Sequence, residues 1–264
     1  IKKYYIEVEE PDMHKPSGDL ERLKTALVEQ WSIIDVKVNL DILKILQKTL
    51  RQGEWKITVA VYIGNNTAEN EIIYVWPGFS EEPIYGVAVD LGSTTMAANL
   101  CDLESGEVIA SAGAMNPQIR FGEDLMSRVS YSMMNAGGEG EMTDAVITGL
   151  NKLFDEIVLE AKIDKNHILD SVFVCNPVMH HLLLGIDPFE LGQAPFALAT
   201  SDRLNLSAKE LGLKISPLAK TYILPCIAGH VGADAAAVAL SEAPNLSDDL
   251  VLIVDVGTNA EILL

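Results

Sequence analysis

The chain has 264 residues, 48% of them hydrophobic, which is enough for one large core or two modest ones. Its 38 acidic residues against 19 Lys and Arg leave a formal charge of −19, which excludes a nucleic-acid partner because that affinity rests on clustered cations. A nucleotide is not excluded, since backbone N–H groups and a metal can hold its phosphates. No apolar run reaches the roughly 20 residues needed to cross a bilayer, so no membrane partner is expected. Cys101, Cys175 and Cys226 are widely separated and form no Cys-x-x-Cys. They fit buried structural thiols in a reducing cytoplasm. The chain starts at Ile1 and stops inside an apolar run, and is read as a piece of a longer protein.

Residues 1–19, with two prolines and a glycine, read as a linker running into a helix whose N-cap is Asp19. In "LERLKTALVEQW", Leu20, Leu23, Leu27 and Trp31 share one helical face. A second helix, "LDILKILQKTLRQ", has Asn39 at its cap position and Gly53 just past its end. The β-rich runs "WKITVAVYI" and "EIIYVW" follow, joined by the turn "GNNTAEN". Residues 20–80 thus read as a small α/β middle domain, with "PGFSEEP" leading out of it.

From Ile84 three strands are expected, "IYGVAVDLG", "TTMAANLCDL" and "EVIASAGAM". Helices follow around 124–134 and 143–161, then a buried strand "SVFVC" and a helix "PVMHHLLLG" between Pro177 and Gly185. "TYILPCI" is another strand and "VGADAAAVALSEA" a helix of small residues. A last strand, "LVLIVDVG", turns through Thr258 and Asn259 into "AEILL".

One design occurs twice here. "VDLGSTT" and "VDVGTN" each end an apolar strand with Asp-x-Gly-Ser/Thr or its near equivalent and turn straight into another strand. Gly lets backbone approach phosphate oxygens, and the N–H groups of such a turn can meet them. The Asp repels phosphate directly, so its role is to hold magnesium through water or to orient a water molecule. Two facing turns could clamp a triphosphate from both sides. No P-loop and no Gly-x-Gly-x-x-Gly leading from strand to helix is present.

These residues resemble the phosphate-1 and phosphate-2 hairpins of the acetate and sugar kinase, heat-shock ATPase and actin superfamily. "GHVGADAAAVAL" is similar in position to its first connecting helix. Within that superfamily, "MNPQIRFGEDLMSRVSYS", "CNPVMHHLLLGIDP" and "LPCIAGHVGAD" resemble the ATP-dependent reductive activators of corrinoid proteins, and "PSGDLERL" resembles their linker. The resemblance implies that 84–264 is the first lobe and the start of the second lobe of an actin-like, ribonuclease H-like α/β fold. It implies an ATP-hydrolysing enzyme that returns a partner's cobalt(II) to cobalt(I) for methyl transfer. ATP and magnesium are the implied cofactors. An electron donor and an iron–sulfur cluster on a domain outside this chain are also implied, and a homodimer is left open. The piece by itself is expected to be inactive.

Carried onto this sequence, Asp90, Gly92, Ser93, Thr94 and Thr95 form the first phosphate hairpin, and Asp255, Gly257, Thr258 and Asn259 the second. Asp90 and Asp255 hold magnesium through water, and Asp234 positions water or magnesium; these three acids are the expected catalytic residues. Cys175 and Ala260 stand where the family pattern has Gly.

His180 and His181 point about 100° apart on a helix and do not share one ion easily, so an interlobe or surface hydrogen-bonding role is expected. His230 stands near the expected cleft, and Glu123 and Asp124 suit a helix start. Other readings stay open: an activator of acyl-CoA dehydratases or aromatic acyl-CoA reductases, a sugar kinase, or a non-enzymatic actin-like assembly module.

Overall fold

The computed structural model describes residues 1–64, 69–246, 249–256 and 260–264. The fold is α/β, in two compact units, Ile1–Ile84 and Tyr85–Leu264. Among the described residues no helix is long and apolar enough to cross a membrane.

The first unit runs β1 (Lys2–Glu7), α1 (Asp19–Trp31), β2 (Lys37–Val38), α2 (Leu40–Gln52), β3 (Lys56–Tyr62) and β4 (Glu71–Pro77). Its sheet has the order β1-β3-β4-β2, with β2 parallel to β4 and the other pairs antiparallel. Asn39 caps α2 as its position suggests, accepting from the Asp41 N–H at 3.0 Å. Leu23, Leu27, Leu46 and Leu50 are buried from the helices, and Ile57, Val59, Val61 and Ile72 from the strands. The expected turn between β3 and β4 includes 65–68, which lie outside the described residues.

Two local expectations change. Lys2–Glu7, read as linker, is an edge strand. It is held by the β3 ladder and by the Trp31 indole, which donates to the Tyr5 carbonyl at 2.8 Å. Only Ile6 of that strand is buried, so it carries no alternation by which sequence could reveal it. Asp19 is not the cap; Gly18 is, and Asp19 is the first helical residue. Its carboxylate bridges Arg22 of its own helix and Arg51 of α2, the latter at 2.6 Å. Arg51 also lies over the Trp55 ring, 4.8 Å from its centroid. The acid therefore ties the two helices together instead of starting one.

The second unit begins with β5 (Tyr85–Leu91), β6 (Thr95–Asp102) and β7 (Val108–Met115), an antiparallel meander. α3 (Leu125–Met134), α4 (Gly138–Ala161), β8 (Ile168–Cys175) and α5 (Pro177–Leu184) follow, then β9 (Leu204–Ser207), β10 (Lys220–Ile223), α6 (Ala233–Glu242), β11 (Ile253–Val256) and β12 (Ala260–Leu263). The main sheet has the order β7-β6-β5-β8-β10-β9. β8 is parallel to β5 and β10 to β8, while β9 lies antiparallel at the edge. Three antiparallel strands continued by two parallel ones give the strand order of the ribonuclease H-like lobe that the sequence anticipates. α4 begins five residues before the expected start (138 against 143); Gly137, Gly138 and Gly140 hide its first turn because glycine is a poor helix former.

The core of this unit lies where α4 packs on β6 and β7. Val87, Val89 and Leu91 of β5 meet Met96, Ala98 and Leu100 of β6 there, under Val146, Leu150 and Phe154 of α4. Alternation with period two sends Ala88 and Asp90 to the other face.

Replacing Asp19 with Ala leaves Arg22 and Arg51 without their shared acid. It should lower stability by about 1–3 kcal/mol, measured by urea unfolding followed through the fluorescence of nearby Trp55.

Candidate functional site

β5 and β6 pair as far as Leu91 opposite Met96, so 92–95 make a tight turn. Gly92 is required by close approach: a Cβ there would lie 2.7 Å from the Thr95 carbonyl oxygen. Ser93 is buried, whereas Thr94 and Thr95 are exposed. Asp90, one residue from the end of β5, is on the solvent-facing side of the strand.

The next strand brings the second acid. β8 is parallel to β5 with Cys175 opposite Leu91, so both strands end at the same level. Asn176 and Pro177 then open α5, with the Asn176 side chain accepting from the Met179 N–H at 2.9 Å. The N-terminus of α6 is pressed against this junction. A Cβ on its cap residue, Gly232, would stand 2.5 Å from both the Asn176 Cα and the Cys175 carbonyl oxygen. Asp234 in the first turn of α6 is thereby carried to the end of β5, with its Oδ1 accepting the Ala235 N–H at 2.9 Å.

Asp255 on β11 is the third acid, and its charge reaches both Asp90 and Asp234. The Asp90 carboxyl is raised above its ordinary range, first by desolvation and then by the charges of Asp234 and Asp255. Asp234 is raised too, chiefly by desolvation, with Asp255 adding to it. Carboxylates pushed upward by one another are held at a cost that a cation relieves. Among the described residues no group of three His, Cys, Asp or Glu is disposed to hold a metal ion directly.

Cys175 and Cys226 are buried beside these acids. Burial pushes the Cys226 thiol up to about 11, with Asp234 adding to the effect, and burial likewise raises the Cys175 thiol. Both stay protonated, so they are packing groups and not thiolate ligands. Burial is expected of all three cysteines, and the third, Cys101 on β6, is only half-buried. Sequence gives no sign that Cys175 and Cys226 lie beside the acids, because the pairing of β8 with β5 that puts Cys175 there is a long-range contact.

Gly257, Thr258 and Asn259, the second expected hairpin turn, lie outside the described residues. Asp124 caps α3, accepting from the Ser127 N–H at 2.7 Å, and His230 stacks on Phe196 with ring centroids 4.2 Å apart. The His180–His181 pair is neither at the surface nor at a cleft; both side chains are buried in α5. His181 donates through Nδ1 to the Pro177 carbonyl at 2.9 Å and accepts the Ala199 N–H through Nε2 at 3.0 Å. That pairing sets its tautomer. His180 is 0% exposed, and neither ring nitrogen has a partner among the described residues. Burial and the neighbouring His181 bring its pKa down to about 4.

Three antiparallel and two parallel strands, with Asp90 and Asp234 brought to the end of β5 beside a Gly-Ser-Thr-Thr hairpin, match the α/β architecture that the sequence anticipates. Comparison with known proteins narrows this. The model of the RACo linker region matches residues 1–82 and that of the RACo middle region residues 85–244, and the chain belongs to the RACo family. It is 34% identical over 182 residues to the corrinoid activation enzyme RamQ of Eubacterium limosum, covering 69% of this chain and 30% of RamQ. It is 26% identical over 191 residues to the [Co(II) methylated amine-specific corrinoid protein] reductase of Methanosarcina barkeri, covering 69% of this chain and 34% of that protein. A solved reductive activator for a corrinoid, iron–sulfur protein superimposes with a TM-score of 0.88 at 31% identity, over 99% of this chain and 41% of its own. The chain thus spans about a third of the curated relatives it matches.

Two outcomes follow. Gly232→Ala should cost about 1–3 kcal/mol of stability, because the new methyl group meets backbone that cannot yield; thermal unfolding measures it. Stability should also decline as pH falls from about 6.5 toward 4, where the unfolded chain takes up protons that buried His180 refuses. The slope is at most about 1.4 kcal/mol per pH unit for this residue. His180→Leu should flatten that acid limb in urea titrations run at successive pH values.

Proposed function

We propose that the full-length protein uses ATP to drive the reductive activation of a corrinoid protein, returning cobalt(II) to methyl-accepting cobalt(I). Electrons come from an iron–sulfur domain outside this chain, itself supplied by an electron donor. The observation that carries this reading is the likeness to the reductive activator, which extends over 99% of the chain. The names of the two curated relatives agree with it. A cytoplasmic location and a homodimer belong to the same proposal, as do a middle domain over 20–80 and an ATPase lobe over 84–264.

Bound between the lobes, magnesium–ATP supplies the free energy of hydrolysis. The protein's own part is to bind and to orient. The Gly92–Thr95 turn brings backbone and the Thr94 and Thr95 hydroxyls to the phosphates, and Gly257, Thr258 and Asn259 are the residues that the family resemblance assigns to the second phosphate hairpin. Asp90 and Asp255 hold the hydrated ion through water, and their mutual repulsion with Asp234 is what the ion relieves. Asp234, on a helix that joins the lobes, orients water. Closure of the lobes on the nucleotide alters the surface offered to the corrinoid protein and so gates electron transfer, without phosphoryl transfer to cobalt.

In the complete protein, Asp90→Ala should lower ATP-dependent reduction of the corrinoid by at least about 100-fold while the unfolding temperature stays within a few degrees. Full activity in that variant would remove Asp90 from the site. The corrinoid partner should raise ATP hydrolysis in a saturable way, and a flat response across partner concentrations would refute the function.

A further inference from the structure

Behind the Gly92–Thr95 turn the core is not apolar. Arg128 of α3 is 0% exposed, as is Gln118, and Asn116 is nearly so. Arg128 is in none of the ion pairs among the described residues; the charge of Asp124, the cap of its own helix, reaches it at longer range, and burying the cation is still costly. Its bonds go elsewhere. Nε donates to the Gly122 carbonyl at 3.0 Å, Nη1 to Gln118 Oε1 at 3.4 Å and to the Met179 sulfur at 3.1 Å, and Nη2 to the Ser93 carbonyl.

Asn116 takes the carbonyls on either side. Its Nδ2 donates to the Gly92 carbonyl at 2.8 Å, and its backbone N–H donates to the Thr94 carbonyl at 2.8 Å. The Oδ1 of the same side chain accepts the Gln118 N–H at 2.9 Å. Gln118 in turn donates to the Met142 carbonyl of α4 at 2.8 Å. Three successive carbonyls, Gly92, Ser93 and Thr94, are therefore held from the core side and anchored to a long helix.

A trans peptide carries its C=O and the following N–H in opposite directions. Holding these three carbonyls inward turns the amides of Ser93, Thr94 and Thr95 away from the core. The fixed guanidinium also polarises the same peptide dipoles, with their positive ends outward. A lysine cannot replace it, having neither the fork nor the reach to serve Ser93, Gly122 and Gln118 together.

We propose that Arg128, assisted by Asn116, is a positioning residue that clamps the Gly92–Thr95 turn so that its amides face the phosphate chain of a nucleotide. This role rests on the nucleotide reading of the site and touches only the phosphates, not the nucleoside.

The test uses the full-length protein with Arg128→Lys and Asn116→Ser; the latter keeps a helix-capping oxygen but loses the reach to Gly92. Dissociation constants for ATP, ADP and adenosine are measured, together with amide hydrogen exchange in the nucleotide-free protein. In both variants ATP and ADP should bind at least tenfold more weakly, adenosine within twofold of the parent, and amides of the segment from Leu91 to Met96 should exchange faster. Equal loss of adenosine and ADP would show general damage to the fold and overturn the clamp. Unchanged ADP binding with unchanged exchange would overturn it too. Failure of the underlying reading looks different, since there the parent protein itself binds neither ATP nor ADP. If Arg128→Lys does not fold, Asn116→Ser, with Arg128 in place, decides alone.

Discussion

The parallel pairing of β5 with β8 is the constraint on which the site depends. Leu91 lies opposite Cys175, so both strands stop at one level and the turns that leave them open side by side. Everything at that level follows from the shared end point. The hairpin turn emerges from β5, the Asn176–Pro177 junction emerges from β8, and the start of α6 must be a glycine because Cys175 and Asn176 leave no room there for a side chain. Asp90 and Asp234 are 144 residues apart in sequence (234 − 90), yet the charge of Asp234 helps to raise the Asp90 carboxyl.

The two faces of this arrangement have opposite chemistry. On the open face, Asp90 and Asp234 are raised by desolvation and by neighbouring negative charge, and two protonated thiols lie beside them. On the inner face, a buried guanidinium and two amide side chains hold backbone carbonyls. A cation behind the turn and acids beside it make an electric field across a few peptide units. Burying Arg128 lowers its pKa to about 10, with burial the leading cause, so it remains charged at neutral pH.

Asn-Pro occurs twice, at 116–117 after β7 and at 176–177 after β8. In both places Asn caps the helical turn that follows, and Pro occupies its first position. Asn116 does more than its counterpart because its amide nitrogen is left over from capping and reaches the turn of the neighbouring hairpin. Local chemistry is the same in the two motifs; the surroundings assign the second duty.

Much was legible without coordinates. The caps of α2, the alternation of β5 and β6, the Gly-bearing turn after Asp90 and the β-α order of the second unit are local properties, set by which side chains stand two or four residues apart. β1 and β9 were not legible, since a short edge strand is defined by its partner and not by its own pattern. Nor could sequence show that Asp19 joins two helices, that His180 is sealed from water, or that Arg128 lies behind a glycine turn 35 residues away. Each of those depends on burial and on contact across the chain. Sequence by itself determined the elements and the chemical groups at their ends. Tertiary structure decided which groups meet and which lose their water, because desolvation and charge coupling exist only once distant segments are packed together.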